Sequence, residues 1–263
     1  MKKIFITGAT SYLGKLFIKY NPELKFFALQ NKSKIIDTPN VKVVNNPEEM
    51  INIIENEQIT QFIHLANMFK GLKISVDEMF DKNVFFYQLI SKSKIENFIY
   101  SSSYWVDIEE YNKKQYVIDK LQNEELIFNL NRKKINSTIL RFGDIFGPDD
   151  NRDKLIPYLK KNENNPKIEF KNSSDAIIRP THIKHAISAI KYYLSLNLNF
   201  CQKVDVYSKE LSLEKFINKY KEVHEKNFEP IFNNLNFRRL TYKSSSDLTY
   251  LPENPIKDYL KII

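Results

Sequence analysis

Residues 7–14 read TGATSYLG, closing the short apolar run Lys3–Thr7 and opening the amphipathic pattern Tyr12–Tyr20. A glycine pattern placed between a strand and a helix restricts the start of the chain to one tightly turned strand–turn–helix unit. Gly8 permits the turn, and Gly14 permits close packing of helix on sheet. Backbone amides and the helix N-terminus between them can then face a pyrophosphate. Ser11 replaces the middle glycine of the usual pattern; its hydroxymethyl fits where it points away from the phosphates, and can itself donate to one. Gly8, Thr10, Ser11, Tyr12, Leu13 and Gly14 are the expected contacts of a dinucleotide here.

Behind this unit, short Ile-, Val- and Phe-rich runs alternate with longer amphipathic stretches. Expected strands are Lys3–Thr7, Lys25–Leu29, Val41–Val44, Gln61–Leu65, Asn97–Ser101 and Ser137–Arg141. Expected helices are Tyr12–Tyr20, Pro47–Asn56, Val76–Ser91 and Lys113–Asn131. Repeated βα units predict an α/β fold, a Rossmann-type doubly wound parallel sheet. Gly147-Pro148 breaks the rhythm, and helices are expected beyond it at Lys154–Lys161, Ile183–Ser195 and Leu213–His224. The chain therefore divides into a dinucleotide-binding part, 1–148, and a mainly substrate-binding C-terminal lobe, 149–263, with elements near 181–207 returning to the sheet.

Composition narrows the setting. No apolar run approaches membrane-spanning length, and no signal-peptide pattern opens the chain. A lone Cys201 offers neither an internal disulfide nor a metal cluster, so no metal is expected and the cytoplasm is the expected compartment. The net charge of +8 comes from lysines spread along the whole chain, which reads as a solvated surface rather than a nucleic-acid face. That field still favours approach of a diphosphate-bearing substrate.

The second strand ends Ala28-Leu29-Gln30, followed by Asn31, Lys32 and Lys34. No carboxylate stands where one would clamp the adenosine ribose, which leans the cofactor toward NADP(H) over NAD(H). Further on, NFIYSSS at Asn97–Ser103 runs a buried strand into three hydroxyls, and Tyr116 and Lys120 share a helix face at i, i+4. A phenol titrating near pH 10 is a poor acid and base at neutrality; a fixed ammonium stabilises the phenolate and brings it into range. The same ammonium can hold the nicotinamide ribose, while a serine hydroxyl orients the substrate carbonyl or alkoxide.

These motifs, in this order, resemble the extended short-chain dehydrogenase/reductase family, also called the NAD-dependent epimerase/dehydratase family. The resemblance covers most of the chain: TGATSYLG, FIHLAN at Phe62–Asn67, Asn83, FIYSSS ending at Ser103, Tyr116 with Lys120, and LRFGDIFGP at Leu140–Pro148. It implies Ser103 as catalytic serine, Tyr116 as acid/base and Lys120 as its partner. It also implies that Asn83 supports the site and that Leu65, Ala66, Asn67 and Ser101 line the cofactor's path, with His64 structural. FGPDDNRDKLIPYL at Phe146–Leu159 and Tyr104-Trp105 resemble nucleotide-sugar 4-ketoreductases of the CDP-abequose or CDP-paratose synthase type. By that resemblance Met68, Ser102, Ser103, Tyr104, Trp105, Asn151, Lys154 and Leu155 are substrate contacts.

The chain departs from the family pattern at several positions. Asn45 and Asn46 stand where a carboxylate near the adenine is expected, an amide oxygen being a weaker acceptor for the adenine amino group. Pro180, Lys184 and His185 replace acidic positions within Ile177–Ile190. Arg179 meets either a substrate phosphate or a structural carboxylate. Tyr104-Trp105 after the serine disfavours elimination, and Gln30 favours net keto-sugar reduction over epimerisation with tightly held NAD. A non-catalytic dinucleotide- or RNA-binding protein is the other class, disfavoured by an intact serine, tyrosine and lysine. The family's habit of pairing two helices in a four-helix bundle implies a homodimer, consistent with Phe80, Phe85, Phe86, Leu126 and Phe128.

Overall fold

The computed structural model describes residues 1–30, 33–35, 38–66, 75–131, 134–196, 200–233, 244–251, 258 and 260–261. The N-terminal half runs β1 (Lys3–Thr7), α1 (Tyr12–Lys19), β2 (Lys25–Leu29), β3 (Val41–Val44), α2 (Glu49–Asn56), β4 (Gln61–His64), α3 (Val76–Lys92), β5 (Asn97–Ser103), α4 (Gln115–Asn131) and β6 (Asn136–Phe142). It continues with β7 (Asp144–Phe146), α5 (Leu155–Asn162), β8 (Lys167–Phe170), β9 (Ile177–Ile178), β10 (Pro180–His182), α6 (Ile183–Ser195) and β11 (Gln202–Val206). β12 (Leu211–Ser212), α7 (Leu213–His224), β13 (Glu229–Phe232) and β14 (Leu248–Tyr250) complete it. Each element expected from periodicity is present, its ends displaced by at most two residues.

Eight strands form one parallel sheet in the order β14-β11-β6-β5-β4-β1-β2-β3. The order reverses between β1 and β4, which opens a crevice at their carboxyl ends. Strand alternation assigns the two faces. Ile4, Ile6, Phe26, Ala28, Ile63, Ile99 and Leu140 pack beneath α1 and α6. Their neighbours Phe5, Phe27, Phe62, Phe98, Tyr100 and Ile139 pack against α2, α3 and α4. Both faces are covered, which explains why the strands read as continuous apolar runs. Register stacks Phe5 on Phe62 at 5.0 Å and Phe62 on Phe98 at 5.3 Å across three strands.

A separate core built on Phe146, Ile156, Leu159, Ile168, Phe216, Ile217, Tyr220 and Phe228 holds the C-terminal lobe. There β8 pairs with β13 and β9 with β12, while β7 pairs with β10. β11 and α6 lie on the large sheet, and β14 also returns to it as an edge strand. Among the described residues no helix is long and apolar enough to cross a membrane.

Three histidines in this framework stay neutral. His182 is enclosed, lies edge-on to Phe146, and accepts from the Lys184 amide through Nδ1 at 3.3 Å. His185 stacks on Tyr250, and His64 lies between Phe86 and Tyr100. Loss of hydration lowers His182 and His185 to about 4 and His64 to about 3. Below about pH 6.5 the unfolded chain takes up protons that the folded chain refuses. Stability therefore falls as pH drops from about 6.5 toward 4, by up to about 1.4 kcal/mol per unit for each histidine. Urea midpoints measured from pH 7.5 to 4.5 should decline with that onset, and a flat profile would contradict it.

Candidate active site

At the end of β1 the chain turns through Gly8 at φ +73°, where a Cβ would lie 2.6 Å from the backbone of Leu65 and Ala66. A Cβ on Gly14 would lie 2.2 Å from the Gly8 carbonyl oxygen. Ser11 solves the missing-glycine problem by capping α1: its Oγ accepts from the Gly14 amide at 3.0 Å, turning the side chain into the helix end. Thr7 Oγ1 lies 2.7 Å from His64 Nδ1 and accepts from the Ala66 amide at 3.3 Å, tying β1 to the end of β4. The result is a tight turn, closed by the Ser11 amide on the Gly8 carbonyl at 2.9 Å, that brings the backbone and the N-terminus of α1 together. Gly14→Ala is expected to weaken dinucleotide binding at least about ten-fold, since relieving such a contact typically costs about 1–3 kcal/mol. Titration of Trp105 fluorescence with NADH checks this, and unchanged affinity would place the phosphates elsewhere.

A cleft of about 1120 Å³ runs from this loop along the strand ends. Gly8, Thr10, Ser11, Gln30, Asn45, Leu65, Ala66 and Asn83 line it, together with His64, Phe86, Asp119 and Asn123. At the ends of β2 and β3 the cleft is lined by a pair of amides: Gln30 Oε1 accepts from the Ile35 amide at 2.7 Å while Gln30 Nε2 donates to Asn45 Oδ1 at 3.3 Å. Other expected cofactor contacts point elsewhere. Leu13 is core, and the Tyr12 hydroxyl donates to the Pro148 carbonyl at 2.9 Å beneath the stacked Arg152 guanidinium. Asn46 Oδ1 accepts from the Glu48 amide, so its side chain stabilises the turn before α2. Asn31, Lys32, Asn67 and Met68 lie outside the described residues.

Ser103 ends β5; its hydroxyl accepts from the Trp105 amide at 3.3 Å and lies close enough to the Tyr116 phenol to oppose the rise in that phenol's pKa. The Tyr116 ring stands edge-on to Trp105 at 5.8 Å. Lys120 is completely enclosed: its ammonium donates to the Ser101 carbonyl and lies 4.6 Å from the Tyr100 ring centroid and 5.8 Å from that of Tyr116. Burial lowers Lys120 to about 7, against the opposing charges of Asp119 and Glu124. Burial also raises the Tyr116 phenol above its ordinary 10, with the Ser103 hydroxyl opposing. Here the ammonium bonds one carbonyl and faces a neighbouring ring, and desolvation is the largest influence on both groups.

Several expected substrate contacts carry other partners. Ser102 is buried, and its hydroxyl donates to Glu124 Oε1 at 2.6 Å. Tyr104 is buried and donates to Asp144 Oδ2 at 2.9 Å. Arg179, 3 % exposed, pairs with Glu210 at 2.6 Å and Asp205 at 3.6 Å and stacks on Tyr207, so its geometry is that of the structural ion pair. Leu155 packs against the lobe core. Trp105 stands beside Tyr116, the Lys154 ammonium lies 5.7 Å from the Trp105 ring centroid, and Asn151 is exposed. Sequence reasoning missed Asp119, Asn123 and Asp144, and also the Arg141 guanidinium held by Glu124 and Asp107. The spacing of Glu124 four residues after Lys120 on the same helix face was the available signal.

Residues 4–199 match the NAD dependent epimerase/dehydratase family, and the chain belongs to that family. A search of curated protein sequences finds no match. Among solved structures, the fold is similar to UDP-glucuronic acid 4-epimerase from Bacillus cereus in complex with UDP-glucuronic acid and NAD. That likeness has a TM-score of 0.76 and 16% identity over 99% of this chain and 97% of that one. UDP-glucose 4-epimerase from Thermotoga maritima, with UDP-glucose, gives a TM-score of 0.72 and 15% identity over 99% and 96%. The dTDP-glucose 4,6-dehydratase from Bacillus anthracis, in complex with NAD, gives 0.74 and 15% over 99% and 94%.

Proposed function

We propose that this chain interconverts carbinol and keto forms of a nucleotide-linked sugar, with epimerisation through a transient keto sugar as the net reaction. The observation that carries the reading is the placement of Ser103, at the end of β5, beside the Tyr116 phenol, with Lys120 one helical turn along α4. The glycine cradle and the adjoining cleft fit a dinucleotide, and the solved epimerases of the same fold are named with UDP sugars. Gly8, Thr10 and Ser11 would hold its phosphates, and Gln30 and Asn45 its adenosine end. When bound, the dinucleotide supplies the acceptor and donor of hydride. Tyr116 takes the proton from the sugar hydroxyl and returns it, Ser103 holds the same oxygen, and Lys120 supports the negative charge that develops there.

Net keto-sugar reduction of the 4-ketoreductase type is the second reading, favoured by amides rather than a carboxylate at Gln30 and Asn45. That amide end, with Lys34 exposed beyond it, also supports NADP(H), whereas the neighbours' NAD supports NAD(H). A panel of UDP-, dTDP- and CDP-linked sugars separates the readings. An epimerase equilibrates a sugar pair without net change at 340 nm, and a reductase oxidises NADPH or NADH stoichiometrically with a keto sugar. Turnover of free ketones as efficient as that of any nucleotide sugar would refute both. We further propose that 149–263 forms mainly the substrate lobe, with α6 and β11 serving the sheet. Two copies would pair through α3 and α4, where Phe80, Phe85 and Phe128 are exposed; Phe86 and Leu126 pack inward.

A further inference from the structure

Asp119 and Lys120 are consecutive residues of α4, 2 % and 0 % exposed, and among the described residues neither forms a salt bridge. Asp119 is instead held by amides. Its Oδ1 accepts from Asn83 Nδ2 at 2.9 Å and Asn123 Nδ2 at 3.0 Å, and Asn123 Nδ2 also donates to the Asp119 carbonyl at 2.7 Å. The Tyr87 hydroxyl donates to Asn123 Oδ1 at 2.9 Å, which fixes the orientation of that amide. This clasp between α3 and α4 immobilises a carboxylate while supplying no positive charge to it.

The surroundings of Lys120 leave few sources of countercharge. β5 presents the Ser101 carbonyl and the Tyr100 ring. β4 presents His64, which is neutral, and α3 contributes Asn83 and Tyr87, also neutral. On α4 itself stand Tyr116, Asp119 and Glu124. Glu124 is already matched: both its oxygens bond Arg141 of β6, and Ser102 donates to one of them. Asp119 is therefore the neighbouring carboxylate with no cation of its own. A buried ion without a counter-ion sheds its charge, whereas two buried opposite charges sustain each other even without contact. The directions agree, since burial raises Asp119 and lowers Lys120 while each opposes that change in the other.

We propose that Asp119 is a positioning residue, the buried counter-charge that keeps a proton on Lys120, with Asn83 and Asn123 holding its carboxylate in place. The electrostatic half stands on the fold alone; its bearing on turnover rests on the proposed function. Asp119→Asn keeps the shape and removes the charge, so Lys120 should release its proton at lower pH. The readout is the pH titration of the Lys120 side-chain resonance in the unliganded protein labelled with ¹³C-lysine, assigned by its absence in Lys120→Met. The midpoint should fall by about one unit or more, a ten-fold loss of proton affinity, and Asp119→Glu should recover part of it. If Asp119→Asn does not fold, Asp119→Ser is read in the same way.

Turnover of the nucleotide sugar should fall only to about half of native at pH 6 but about ten-fold at pH 8, in kcat rather than KM. An unmoved Lys120 midpoint in a folded variant overturns the proposal, whatever the activity. A shifted midpoint in a protein that turns over no nucleotide sugar supports the electrostatic role and sinks the functional reading instead.

Discussion

Tyr116→Phe is expected to lower turnover by about two to four orders of magnitude while leaving dinucleotide affinity close to native. The ring's packing is independent of its hydroxyl: it stands edge-on to Trp105 at 5.8 Å, and phenylalanine keeps that contact. What disappears is the phenol oxygen beside Ser103 at the end of β5. A structural role would lower the melting temperature and weaken every ligand together. A catalytic one lowers kcat with fluorescence-detected NADH or NADPH binding unchanged. Unchanged turnover would mean that another group moves the proton.

Arg141→Met is expected to destabilise the fold by about 3–5 kcal/mol, the usual consequence of removing one partner from a buried ion cluster. The Arg141 side chain is 1 % exposed and pairs with Glu124 at 2.5 Å and Asp107 at 2.8 Å, both also enclosed. Removing the guanidinium strands two carboxylates in a site where water cannot replace it. Urea unfolding measures the loss. The double variant Arg141→Met/Glu124→Gln should cost less than the sum of its single changes, because the second substitution removes a charge the first left uncompensated. Strict additivity would show that the cluster does not act as a unit. Activity should suffer as well, since Ser102 donates to Glu124 and adjoins Ser103.

Where local chemistry decides the structure, it could be read from the chain. The alternation of Ile4, Phe5 and Ile6 assigned β1 to a two-faced sheet, and Gly8 and Gly14 proved to be positions where a Cβ would force the backbone to move. Side-chain partners were less legible. Arg179 is a cation near the expected place, yet Glu210 and Asp205 claim it across segments brought together only by folding. Ser102 and Ser103 are indistinguishable as letters. Strand alternation sends the first toward Glu124 and the second toward Tyr116. The i, i+4 spacing placed Lys120 on the right face but could not reveal that its ammonium turns to the Ser101 carbonyl. β14 had no readable signal, because three residues carry no measurable period.

The return of β14 to the sheet edge has a temporal consequence. Ser245 donates to Asp107 and accepts from Arg141, 104 positions earlier, while Ser244 and Ser246 bond the two oxygens of Asp205. A ribosome releases β6 long before it releases these serines. Through that interval the nascent chain carries a guanidinium and two carboxylates whose last ligands do not yet exist. Closure of so distant a loop must wait until both of its ends have been made. The end of β5, whose Ser102 bonds Glu124 and through it Arg141, therefore acquires its last polar neighbours only after Ser244, Ser245 and Ser246 have been made.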